Sequence, residues 1–184
     1  MGAIPGHSTH RLLLQSSGWS CIRKAWPNVL APMNSQLELR YQPDTDGTGE
    51  LFARARSGDF LGAGSAWFSE AELLAFGTRL QTCYPLTPGT ELQIQGGYWA
   101  PNSSPPRLQE VLLGLRVYAL GITGGVGLQV ELADPIHEHQ RPESRGRACF
   151  ELATSYDELQ RFGAQIQSLL RPGDRTARLS LDRA

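Results

Sequence analysis

A chain of 184 residues, 40% hydrophobic and 19% charged, has the length and composition of one domain around one core. The longest apolar-rich run, Val111 to Leu120, is interrupted by Gly114 and Arg116 and falls well short of the ~20 residues that a membrane-spanning helix needs, which excludes a membrane-spanning role. With 17 basic and 18 acidic residues, the net charge of −1 lacks the basic surplus that neutralises phosphates, so no nucleic-acid partner is expected.

The first 32 residues hold Arg11, Arg23 and the lone lysine, Lys24, without an acid, and the apolar core Leu12-Leu13-Leu14 is too short for an export signal. A strand pattern begins directly after Met33. Residues 1–32 are therefore expected to be a disordered or mis-assigned extension, and residues 33–184 a single cytoplasmic domain. That domain is more acidic than the whole chain, at about −4, which favours a basic or neutral protein partner.

In the first half, Gln36–Tyr41 and Leu51–Arg56 read as strands around the turn-rich Pro43–Gly49, and a short strand at Ser65–Phe68 follows. Ser69 then opens a helix. Ser69 caps it while Glu72 returns a bond to the cap, with Trp67 or Phe68 as the apolar staple before it. Leu73, Phe76, Leu80 and Cys83 recur at spacings of three and four, and the helix ends before Pro85.

Three further strands are expected at Leu92–Ile94, Leu108–Leu120 and Gly127–Leu132, the last two joined by a hairpin at Gly121–Gly125. Tyr98–Arg107 and Asp134–Gly146 read as loops. A strand at Arg147–Ala153 leads into a second helix, capped by Ser155 and Glu158 and carrying Leu159, Phe162, Ile166 and Leu169, which stops before Pro172-Gly173.

The two helices share the pattern S-x-x-E-L-x-x-F-G, over Ser69–Leu80 and Ser155–Ile166. A glycine inside each, Gly77 and Gly163, costs ~1 kcal/mol relative to alanine, and close packing against a sheet is expected there. The fold class is α+β: a largely antiparallel sheet of six or seven strands, two amphipathic helices and a weak internal two-fold repeat.

Chemical motifs are sparse. Gly121–Gly127 lacks the lysine of a phosphate loop and precedes no helix, so it is read as a hairpin. Asp44–Glu50 lacks the later ligands of a calcium loop. His137 and His139 alone do not make a metal site, and Cys21, Cys83 and Cys149 show no CxxC spacing, with Cys83 and Cys149 expected in the core. No nucleophile elbow occurs. Neither catalytic residue, metal nor cofactor is expected. The candidate contact residues are Tyr98 and Trp99, an aromatic pair running into a proline-rich loop, with Asp134 and Glu138 in the later loop.

Trp67, Ser69, Leu73 and Phe76, then Gly124 to Val130, then Phe150, Leu159 and Phe162, together resemble the small bacterial immunity proteins of the WapI-associated type, over most of Ser35 to Leu170. The resemblance implies a cytoplasmic, non-catalytic protein that neutralises a cognate toxin by binding it. Two other classes stand beside it: a small-ligand or carbohydrate-binding module stacking on Trp67, Tyr98 and Trp99, and a hydrolase using His137 or His139.

Overall fold

The computed structural model describes residues 35–181, except 88, 102, 122–123, 138–139 and 174–175. The expected extension at residues 1–32 and the start at Met33 lie outside the described residues.

Alternation builds the first sheet. In β1 (Ser35–Pro43) Leu37, Leu39 and Tyr41 are buried, and in β2 (Thr48–Ser57) Leu51, Ala53 and Ala55 are buried, so every second residue is left on the outer face. The turn between them uses its acids internally: Asp46 accepts from the Thr48 N–H at 2.9 Å and hydroxyl at 2.6 Å, which holds its carboxyl below the usual range. β3 (Phe60–Ser69) returns antiparallel beside β2 and is longer than the sequence suggests.

α1 (Glu70–Thr82) starts with a complete capping box: Ser69 Oγ accepts from Glu72 N–H at 3.2 Å, and the Glu72 carboxylate accepts from Ser69 N–H at 2.8 Å. Phe68, immediately before the cap, is buried with Leu73, whereas Trp67 is exposed, so Phe68 is the staple.

The chain then crosses to a second antiparallel sheet of β4 (Glu91–Trp99), β5 (Leu108–Leu120), β6 (Gly125–Ala133) and β7 (Arg147–Thr154). α2 (Tyr156–Ser168) carries it back. Its cap is only half of the expected box, because Ser155 accepts from Glu158 N–H at 3.2 Å while the Glu158 carboxylate turns to Arg161. β8 (Thr176–Leu181), not anticipated from sequence, then pairs with β1.

The fold is therefore α+β, with eight strands among the described residues in two sheets of four, ordered β3-β2-β1-β8 and β4-β5-β6-β7, instead of one sheet of six or seven. Each helix leads the chain from one sheet to the other. Hairpin signals are local and show which neighbours pair, but they do not show where a helix delivers the next strand.

Gly77 and Gly163 meet each other across the helix pair, not a sheet. A Cβ on Gly77 would stand 2.8 Å from the Gly163 carbonyl oxygen, and one on Gly163 would stand 2.6 Å from that of Gly77. One core joins both helices to the inner faces of both sheets. At Gly62 the edge strand β3 sits so close to the second sheet that a Cβ would lie 2.8 Å from that of Ala148. Cys83 is half-buried against the core, but Cys149 is, contrary to expectation, exposed, since alternation gives the inner positions of β7 to Phe150 and Leu152.

Candidate binding surfaces

The outer face of the first sheet follows from strand register. Arg40 on β1 lies opposite Phe52 on β2, which lies opposite Ser65 on β3. In the next row Arg54 lies opposite Glu38, which lies opposite Arg178 on β8; in the row beyond Phe52, Glu50 lies opposite Trp67.

Phe52 is 39% exposed and Trp67 57% exposed, on a face where alternation would ordinarily place polar groups. Over Phe52, but not Trp67, lies an open groove of 1210 Å³ whose lining includes Glu38, Arg40, Phe52, Arg54 and Ser65. Glu38 is engaged by Arg178 at 2.8 Å, Glu50 accepts from the Ser65 hydroxyl at 2.7 Å, and Arg56 bonds the Gly58 carbonyl at 2.8 Å. Arg40 and Arg54 have no hydrogen-bond or ion-pair partner among the described residues, and both are exposed.

The outer face of the second sheet is different because its arginine Arg116 and its tyrosine Tyr118 are engaged by neighbours. Arg116 bonds Gln129 at 2.9 Å and Glu91 at 3.2 Å, and lies 5.2 Å from the centre of the Tyr118 ring. The Tyr118 hydroxyl donates to Glu151; burial first, and then this carboxylate, push its pKa up to about 12.

At one end of that sheet the structure brings together two of the residues singled out in the sequence. Tyr98 lies opposite Glu110, Glu110 forms an ion pair with Arg145, and Arg145 Nε donates to the Asp134 backbone carbonyl. The Asp134 carboxylate accepts from Gly146 N–H at 3.1 Å, so it serves to close its own loop. The Arg145 side chain is 2% exposed, its Nη2 has no hydrogen-bond partner among the described residues, and burial followed by the neighbouring Arg147 lowers its pKa. A groove of 460 Å³ lies beside it.

Tyr98 and Trp99 belong to β4 itself, so the loop starts later than expected, and both are about half exposed. Glu138 and His139 lie outside the described residues, and His137 is exposed on the loop. Among the described residues no three His, Cys, Asp or Glu side chains gather to hold a metal, and no helix is long and apolar enough to cross a membrane.

Sequence reading missed Arg40, Phe52, Arg54 and Arg145. The first three were detectable as the off-phase residues of β1 and β2, whereas nothing local distinguishes Arg145 from the other arginines. No protein-family model, no curated protein and no solved structure matches the chain.

Proposed function

We propose that the chain is a non-catalytic binding protein of the immunity type, acting in the cytoplasm, which neutralises a cognate toxin domain by covering it with the outer face of its first sheet. The observation that carries this is the pairing of exposed Phe52 and Trp67 with two arginines, Arg40 and Arg54, that have no partner among the described residues. Tryptophan and arginine dominate the binding energy of protein interfaces, and aromatic rings supply contact area at little entropic cost. The outer face of the second sheet offers less, since its arginine and tyrosine are already engaged.

The three aromatics of the ligand-module reading do not form one platform. Ala66 and Phe68, on either side of Trp67, face Gly96 of the second sheet, so Trp67 points away from the sheet that carries Tyr98 and Trp99. The weak two-fold repeat belongs to the same proposal, supported by the common S-x-x-E-L-x-x-F-G pattern and by the meeting of Gly77 with Gly163. Descent from one unit predicts that relatives keep or lose the two glycines together, and independent loss counts against it.

Co-expression with a toxin domain encoded beside this chain tests the function. The expected result is survival of the cell, a stable complex, and neutralisation that saturates stoichiometrically. Survival without a complex, or neutralisation by catalytic amounts, would contradict the proposal.

A further inference from the structure

Net charge taken over residues 33–184, about −4, points to a basic or neutral partner, but the local charge of the docking face has the opposite sign. Arg40, Arg54, Arg56 and Arg178 share the outer face of the first sheet with only Glu38 and Glu50 among the described residues. Glu38 is neutralised by Arg178. Phe52 is left beside two arginines that have no side-chain partner among the described residues: Arg40 directly across the β1–β2 pair, with Cβ atoms ~5 Å apart as in cross-strand neighbours, and Arg54 two residues along the same strand, with Cα atoms ~7 Å apart.

We infer that the partner presents an acidic protein surface in which an apolar side chain, seated on Phe52, is flanked by carboxylates that pair with Arg40 and Arg54. This rests on the reading of that face as the docking surface and deepens it by naming the chemistry of the partner. An arginine offers a planar fork that matches a carboxylate, and pairing at a face that becomes dry on docking is stronger than pairing in water.

A nucleic acid also combines flat apolar groups with negative charge, but Glu50 decides against it. Glu50 is the next residue from Phe52 on the same strand face, and its carboxylate accepts from the neutral Ser65 hydroxyl. A phosphate backbone carries a charge at every nucleotide and would meet that carboxylate. A protein surface can place a donor opposite it.

The test titrates the full chain with the peptide Asp-Glu-Leu-Trp-Glu-Asp and, separately, with oligothymidine, following backbone amide NMR signals. The peptide is expected to shift signals of β1, β2 and β3 with an affinity that falls as salt rises. Arg40→Glu/Arg54→Glu is expected to weaken it by about tenfold or more, while Glu50→Gln tightens it. The inference is overturned if the peptide shifts no signals on these strands, if the charge variants leave its affinity unchanged, or if oligothymidine binds the same face more tightly. Peptide binding that follows this pattern, in a chain that fails to protect against the toxin domain, removes the immunity reading and leaves the acidic-partner inference standing.

Discussion

Arg145 anchors the loop between β6 and β7, because its guanidinium joins Glu110 of β5 to the carbonyl of Asp134 inside the sheet edge. Breaking a buried pair by removing one partner leaves the other charge desolvated, which costs about 3–5 kcal/mol. Arg147 remains 4.0 Å from Glu110 and moderates the loss, so Arg145→Met is expected at the lower end, about 3 kcal/mol by urea denaturation. Arg145→Met/Glu110→Leu should recover part of it, and a single variant as stable as the wild type would show that the pair is not structural. Tyr118 gives a pH prediction. The folded state holds its proton up to about pH 12 while the unfolded chain releases it near pH 10. Folded protein thus binds more protons in that window, and this contribution to stability is complete below pH ~10 and is lost as pH rises to ~12. Glu151→Gln should bring the phenolate absorbance transition toward lower pH, and an unchanged transition would assign the shift to burial alone. At this scale the sequence reveals composition and facing but not company: Tyr98 and Asp134 could be picked out, while the arginine that links their neighbourhoods could not, because ion pairing between distant segments leaves no local pattern.

Among the elements, both helices were readable because caps and apolar spacing are local physics, and Ser69 with Glu72 behaves as its spacing dictates. The second cap departs because Glu158 has Arg161 one turn ahead to pair with. Hairpins were readable for the same reason. β8 was not, since six residues behind Pro172-Gly173 become a strand only by pairing with β1, at the other end of the chain. The close approach at Gly77 and Gly163 was half legible: a glycine costs helix stability and so implies contact, but the surface contacted is a tertiary fact. Gly77→Ala gains ~1 kcal/mol of helix propensity, yet sets its Cβ 2.8 Å from a backbone carbonyl that cannot rotate away. Overpacking of this kind costs about 1–3 kcal/mol, so the variant is expected to be less stable in urea by about 1 kcal/mol or more. A stabilised variant would mean that the helices separate freely.

For the whole molecule, the mild acidity of the chain conceals an uneven distribution, with arginines unpartnered among the described residues on one sheet face and Arg116 and Tyr118 engaged by neighbours on the other. Net charge governs long-range attraction, while the charge of the contacting face governs docking once water is excluded. This is why the α+β class could be read from periodicity and the proposed docking face could not: the face is assembled from three strands whose register is set only in the folded sheet. The central claim is that this face, and not the Tyr98–Trp99 end of the second sheet, receives the partner. Calorimetric titration of the proposed partner, a toxin domain encoded beside this chain, into wild type, Arg40→Glu/Arg54→Glu and Tyr98→Ala/Trp99→Ala tests it most directly. The account predicts that the arginine reversals weaken binding by about tenfold or more while the aromatic pair leaves it within about twofold. Binding that survives the reversals and is lost with Tyr98 and Trp99 would contradict it.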